Sequence, residues 1–310
     1  MWPELPYPAW RDTLQTVHLW VQIIGKIRLA LTPWLNHSWH VPFYVTVRGI
    51  GTSAMPIAGG ENLEIDFDFI GHRLAMRTSR GDEASFALAP MSVAAFHNRV
   101  FARLRDLGVA VAIDDVPSEM TGMPRYSQDH ARASYDAGSV HRFWRALIQA
   151  DRVFKLFRSG FLGKASPVHF FWGSFDLAAT RFSGRTAPKH PGGVPGLSDA
   201  VACEAYSHEE CSAGFWPGSD SFPHAAFYSY AYPEPAGFRD RNVTAAAHFD
   251  ATLGEFILPD DTMRTAAAPD AMLLDFLSTT YAAAADCGNW DRAALECPLG
   301  IPGRVRPAAS

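Results

Sequence analysis

The run Ser166-Pro167-Val168-His169-Phe170-Phe171-Trp172-Gly173-Ser174-Phe175-Asp176-Leu177 sets an imidazole, a hydroxyl and a carboxyl among aromatic rings. A histidine and an aspartate sharing a cleft can pass a proton to and from a bound molecule, which is general acid/base chemistry. In one unbroken strand side chains alternate, so His169 and Phe171 fall on one face and Ser174 and Asp176 on the other. A bulge at Gly173-Ser174 inserts one residue and lets His169, Ser174 and Asp176 share a face. The competing reading is a half-buried strand whose polar groups are hydrogen-bonded for stability alone. Ser174 makes a poor nucleophile candidate, because the segment lacks the second glycine of a G-x-S-x-G elbow and reads as a strand.

Further along, Glu204-Ala205-Tyr206-Ser207-His208-Glu209 repeats the mixture and leads into the turn composition Gly214-Phe215-Trp216-Pro217-Gly218. Glu204 and His208 stand four apart, and a helix would bring both to one ion. With His169, or with His37 and His40, they are candidate ligands of a divalent metal such as zinc or iron. No H-E-x-x-H or comparable spacing accompanies them. The alternative is a loop pinned by Glu204 and His208 through hydrogen bonds to main chain. His40 continues a polar face with Tyr44, Thr46 and Arg48. Arg48 and Arg181 occupy comparable places in the two halves of the chain and could hold an anion bidentately, or Arg48 could pair with a carboxylate of the next strand. The expected site therefore has His169 and Asp176 as acid and base, and His208 and Glu204 as partners or ligands. Trp172, Ser174, Tyr206, Trp216, His40, Tyr44, Arg48 and Arg181 would contact the bound molecule.

Periodicity supplies the elements that must position these residues. Trp10, Leu14, Val17, Val21 and Ile24 predict a helix over 8–24 that Gly25 ends or bends. Val41, Phe43, Val45 and Val47 alternate over 40–48 as one strand, Leu63, Ile65, Phe67 and Phe69 as a second, and Leu74, Met76 and Thr78 as a third after a turn at Gly71-His72. Ser92 caps a helix through Val93, Phe96, Val100, Leu104 and Leu107 that closes at Gly108, and 109–113 reads as another strand. Residues 116–138 have the Pro/Gly composition of a connector. Ser139 then caps a long helix running to Phe161 and ended by Gly163-Lys164. Strands follow over 166–177, 225–232 and 253–258, and Pro269 opens a last helix. The expectation is an α+β fold of two pseudo-duplicated antiparallel sheets, or one curved sheet, gripped by long helices. Its parts are a first half at 1–115, the connector, a second half at 139–297 joined with the first in one compact unit, and a loose tail at 298–310.

Composition limits the function classes. With 48% hydrophobic and 19% charged residues the chain is too apolar for disorder, and 32 acids against 27 bases leave no basic stripe for a nucleic acid. The first residues lack a secretory signal, and no apolar run approaches the ~20 residues of a membrane span, so a cytoplasmic protein is expected. Cys203, Cys211, Cys287 and Cys297 have neither zinc-site nor disulfide-framework spacing and read as thiols. Pro191 to Gly196 carries prolines and matches no nucleotide-binding pattern. Nine tryptophans suit an aromatic-walled pocket as well as a ring-rich core.

Asn36-His37-Ser38-Trp39-His40-Val41-Pro42-Phe43-Tyr44-Val45-Thr46-Val47-Arg48-Gly49, the stretch Ser166 to Arg185 and Glu204 to Glu209 together resemble DUF5996, a bacterial family of unknown function, over nearly the whole chain. The resemblance implies one full-length unit and bacterial origin, and it carries no reaction, cofactor or catalytic residue. From the residues, the expected function is an enzyme acting on a small aromatic or anionic molecule by His/carboxylate or metal-assisted chemistry. The alternative is a non-catalytic small-molecule binder with an aromatic-lined cavity. A third reading, an interaction protein, would expose Trp172, Phe215 and Trp216 as a patch. The sequence sets no oligomeric state.

Overall fold

The structure is a computed structural model that describes residues 1–194 and 196–306; Pro195 of the Pro/Gly stretch and the last four residues of the expected tail lie outside the described residues. Helix α1 spans Tyr7–Leu31 and runs through Gly25 rather than ending there. A Cβ at Gly25 would lie 2.3 Å from Trp172 Cδ2, so this position gives room to an indole from the other half of the chain.

The first sheet is antiparallel, with β1 (Tyr44–Val45), β2 (Gly49–Gly51), β4 (Glu61–Asp68), β5 (Arg73–Thr78) and β6 (Glu83–Ala87) in that order and β3 (Met55–Ile57) paired to β4. Leu63, Ile65, Phe67 and Phe69 are buried as their alternation predicts. Asp68 closes the β4–β5 turn by accepting from the backbone N–H of Ile70 and Gly71 at 3.0 and 2.8 Å. The single strand expected over 40–48 is not formed. Thr46 N–H bonds to Gly49 O at 2.9 Å and Thr46 Oγ1 accepts from Gly49 N at 3.0 Å, so the chain turns there and leaves Val47 87% exposed. Ser92 caps α2 (Val93–Asp106) through Ala95 N–H at 3.1 Å. Residues 109–113 carry no strand.

Helix α3 (Ala137–Ser159) is capped by the Asp136 carboxylate, which accepts from Ser139 N–H at 2.7 Å; Ser139 thus falls inside the helix, and Gly160 rather than Gly163 ends it. The second sheet has the order β11 (His248–Asp250), β12 (Glu255–Pro259), β10 (Ala226–Tyr232), β9 (His208–Trp216), β8 (Asp176–Thr186), β7 (His169–Phe171), again antiparallel. The remaining helices are the short α4 (Asp199–Ala205), α5 (Asp260–Arg264) and α7 (Arg292–Leu295) and the long α6 (Pro269–Cys287). The fold is mixed α+β with two six-stranded sheets. They touch at Phe43 and Phe170, which exchange backbone hydrogen bonds of 2.8 and 2.9 Å, and one hydrophobic cluster draws on both halves. No described helix is long and apolar enough to cross a membrane.

The period of two sorts the second sheet into two faces. Leu177, Ala179, Cys211, Ala213, Phe215 and Phe227 are buried on one side, where α3 and α6 pack. Arg181 belongs to this side: its guanidinium lies 3.5 Å from the centre of the Phe157 ring and 4.4 Å from that of Tyr281. Asp176, Ala178, Thr180, Phe182, Glu210, Ser212, Trp216, Tyr228 and Tyr230 point to the other side, into a cavity.

Candidate functional site

Residues 166–177 form a hairpin, not one strand with a bulge. Phe175 N–H bonds to Phe171 O at 2.9 Å, Phe171 pairs with Asp176, and His169 pairs with Ala178. Phe175 takes the left-handed backbone conformation, φ 62°, that the turn requires. Directly paired residues share a face, so His169, Phe171 and Asp176 come to one side through the hairpin register. Of these three, Phe171 and Asp176 reach the cavity and His169 does not.

The cavity has a volume of about 490 Å³. The second sheet forms its floor. The end of α1, the segment Trp34–Val41, the loop at Ser118-Glu119, α4 and Leu253 supply its other walls. Six of the expected residues line it: His40, Trp172, Ser174, Asp176, Tyr206 and Trp216. Trp172 is anchored by Nε1–H to Val41 O at 3.1 Å. Because Trp172 and Phe215 are buried, the exposed aromatic patch of an interaction protein is not formed.

Asp176 is 6% exposed, and its two oxygens accept from Ser174 Oγ and from the Tyr228 hydroxyl. Tyr228 reaches across from β10 because Gly214 on the intervening β9 has no side chain; a Cβ there would stand 2.3 Å from the Tyr228 phenol. Burial raises the Asp176 carboxyl against the pull of these two donors. Tyr206 and Tyr230 join their hydroxyls at 3.1 Å alongside.

Three further carboxyls line the cavity: Glu119, Glu210 and Glu255. None has a side-chain hydrogen bond or ion pair among the described residues. Glu119 as a whole residue is exposed, but the protein packed around its carboxyl, then the Asp176 charge, pushes that group up to about 7. Burial pushes Glu210 up to about 8, opposed by Lys164. Burial, then Asp176 and Asp250, brings Glu255 to about 7. No lysine or arginine lines the cavity among the described residues.

Glu119 sits in the expected connector, in a left-handed backbone conformation with φ 57°. Its loop is clamped by the fully buried Gln22 of α1, whose amide accepts from Ser118 N–H at 2.9 Å and donates to Ser118 O at 2.8 Å. Gln22 also donates to Gly173 O at 3.3 Å, tying the loop to the β7–β8 turn, and accepts from the Tyr126 hydroxyl at 2.8 Å. His18 Nε2–H donates to the Trp172 and Gly173 carbonyls at 3.1 and 2.9 Å. Glu119 thus rests against Gly173, where a Cβ would lie 1.9 Å from its Oε1.

The remaining expected residues, His37 apart, are placed elsewhere. His169 is 1% exposed between Trp39 and Tyr44, with ring centroids 5.9 and 5.6 Å away, and burial followed by Arg158 and Arg28 pushes it down to about 3. Glu204 ends α4 and accepts from Trp34 Nε1–H, whereas His208 begins β9 with Nδ1 3.0 Å from Ser207 Oγ; the helix needed to align the two stops at Ala205. Among the described residues, no group of three or more His, Cys, Asp or Glu is arranged to hold a metal ion. Tyr44 is half-buried beside Arg28. Arg48 pairs with Asp68 at 2.8 Å, and Arg181 is held in its aromatic cage on the opposite face of β8, so the two arginines do not meet at an anion. His37 lines the cavity, its Nδ1–H donating to Ala205 O at 2.7 Å and its Nε2 accepting from Lys164 at 2.6 Å.

A family model for DUF5996, a family of unknown function, matches residues 2–297 of the 310. The chain belongs to DUF5996. No curated protein and no solved structure gives a significant match. Every cavity residue of this DUF5996 chain falls inside the matched span. Glu119, Glu210, Glu255, Tyr228 and Tyr230 were not singled out by sequence reasoning. One signal for the tyrosines was present, since Tyr228, Tyr230 and Tyr232 recur at every second residue on the face opposite Phe227.

Proposed function

We propose that the cavity binds a small organic cation, an amine or charged nitrogen heterocycle, held between aromatic walls and neutralised by Asp176, Glu119, Glu210 and Glu255. The observation that carries this reading is the set of three partnerless carboxyls in a ring-lined cavity without a lining cation. Ionised carboxylates only accept hydrogen bonds, and aromatic faces attract cations, so both kinds of wall ask for the same ligand. An anion would face four acids. The volume lies within the roughly 300–1,000 Å³ usual for small-molecule sites. The acids are also spread out: at about 3.3 Å per residue, the Glu210 backbone on β9 lies about 20 Å along the strand from the Asp176 end. That spread suits an extended molecule better than a single metal ion.

Binding is linked to protons. At neutral pH in the empty cavity Glu210, near 8, is mostly protonated and Glu119 and Glu255, near 7, are about half protonated, and a bound cation favours the ionised forms. Affinity therefore rises as pH increases through this range while the ligand stays charged. Thermal-shift and calorimetric titration with aromatic amines, quaternary ammonium ions and diamines, each beside a neutral isostere, tests the reading. Cations should bind with proton release and weaken in Glu255→Gln; equal binding of the neutral isosteres would sink it.

A second reading, general acid/base catalysis, is favoured by one observation: Glu119 combines a strained backbone with a carboxyl pushed up to about 7, beside the hydrogen-bonded Asp176. It requires that a bound amine be turned over and that Glu119→Gln bind it without turnover.

A further inference from the structure

Beside the cavity, a second group of side chains has buried nitrogen atoms without hydrogen-bond partners among the described residues. Arg28, in the last turn of α1, is 6% exposed, and neither its Nε nor its Nη1 has a hydrogen-bond partner. The acidic group acting on it is the Tyr44 phenol, over whose ring the guanidinium lies at 6.0 Å. Arg158, on α3, has a buried Nε without a partner, and its carboxylate neighbour Asp151 is taken by Lys155 at 2.6 Å. The Tyr44 ring in turn meets the His169 ring at 5.6 Å between centroids, the charges of both guanidiniums disfavour protonation of that imidazole, and its Nδ1 is buried without a partner among the described residues. Arg28 acts as well on His40, whose Nε2 is buried without a partner.

Arg28, Tyr44, Arg158 and His169 do not line the acidic cavity. Trp39 does, and it packs edgewise on His169 from the cavity side at 5.9 Å. Arg158 and Tyr44 are half-buried, which gives the cluster an edge toward solvent. A buried guanidinium without a counter-charge is among the costliest groups a fold can hold. Guanidinium forks match the oxygens of carboxylates and phosphates, and an imidazole and a phenol add further hydrogen-bonding positions.

We propose that Arg28, Arg158 and His169, with Tyr44 and His40 at the margin, form a second site that binds a small oxyanion, a phosphate or carboxylate group. The site meets the cavity at His40 and Trp39, which line it, and its test is therefore run without a cavity ligand. It stands on orphaned donors from α1 and α3 converging on one buried imidazole, whereas the cavity stands on orphaned acceptors.

The test is thermal unfolding of the full-length protein, without any organic cation, titrated with sodium phosphate or sodium acetate at ionic strength held constant with sodium chloride. A saturable rise in Tm with phosphate alone assigns a phosphate site, and one with acetate alone assigns a carboxylate site; either supports the proposal. Arg158→Gln should weaken the response at least about tenfold, the loss expected for a hydrogen bond to a charged group. Arg28→Met keeps the bulk without the charge, and should remain folded and unresponsive. A Tm that follows ionic strength alone overturns the proposal, as does an unchanged oxyanion response in both variants. Should Arg28→Met fail to fold, the half-buried Arg158→Gln decides by itself.

Discussion

Replacing Glu210 by glutamine keeps the shape and neutral polarity of the protonated acid and removes its ability to ionise. In the folded protein this carboxyl is 6% exposed, has no side-chain partner among the described residues and is pushed by burial from 4.5 up to about 8. Unfolding returns it to 4.5. Between these values the folded state holds a proton that the unfolded state has released, so stability falls as pH rises. The slope for one group is about 1.4 kcal/mol per pH unit, giving a cost of about 3 kcal/mol at pH 7 and approaching about 5 kcal/mol above pH 8. Below about pH 4.5 the cost vanishes. Glu210→Gln should therefore match wild type in acid and exceed it by about 3 kcal/mol at pH 7, a figure in which the Lys164 attraction already counts. Urea denaturation of both proteins across pH 5 to 8 measures the difference directly. A stability gap that does not change with pH, or a variant less stable than wild type at pH 8, would refute the assignment of Glu210 as a buried acid without a direct ion-pair partner.

Two further outcomes follow from the same geometry. Tyr228→Phe leaves the ring over Gly214 and removes one of the two donors to Asp176; it should cost roughly 1.5–3 kcal/mol at pH 8 and less in acid, and an unchanged denaturation midpoint would show that Asp176 does not depend on that donor. Gly25→Ala gains up to about 1 kcal/mol of helix propensity but drives a methyl into Trp172, for which overpacking costs typically 1–3 kcal/mol. A net loss is expected in the thermal midpoint, together with weaker ligand binding as the indole shifts, and a stabilised variant would mean that the indole has room to yield.

The elements that the sequence made legible are those whose burial follows one period. The β4 strand buries Leu63, Ile65, Phe67 and Phe69 as its alternation predicts, and Ser92 caps α2 as its position predicts. The errors arose where a long-range contact overrode a local signal. Gly25 reads as a helix end, yet it serves a tryptophan far away in sequence. Gly173 drew attention as the irregular residue of the central motif, whereas the left-handed position of the turn belongs to Phe175. That ring stacks on Phe143 at 5.3 Å and meets Phe170 at 5.1 Å, contacts that offset a backbone conformation a bulky residue otherwise avoids. Of the site, the chain segments at β7–β8 and Tyr206–Trp216 were visible because chemistry-bearing residues cluster in them. Glu255 and Tyr228 were not, since their relation to Asp176 exists only across paired strands, and Glu119 was hidden in a connector whose position Gln22 determines from another element.

Asp68 and Glu210 show that the partnerless carboxyls do not reflect a general shortage of donors. Both are nearly fully buried acids on β-strands, 3% and 6% exposed. Against the upward push of burial, Asp68 collects hydrogen bonds from Gly71, Arg48 and Ile70 and is drawn below its ordinary range. Glu210 receives none among the described residues and is raised to about 8. Local rules distinguish the two only in part, because Asp68 is served by a tight turn while Glu210 lies mid-sheet. But β9 is flanked by strands whose cavity-facing positions include Thr180, Phe182 and Tyr230, and a lysine or arginine at any of them would supply a counter-charge without disturbing the core face. The cavity instead gathers acids and rings on one face of a sheet whose other face is conventionally packed. Polar groups left unsatisfied at a stability cost, on the face that bounds an open volume, are the pattern expected where acceptors are held for a ligand rather than for the fold.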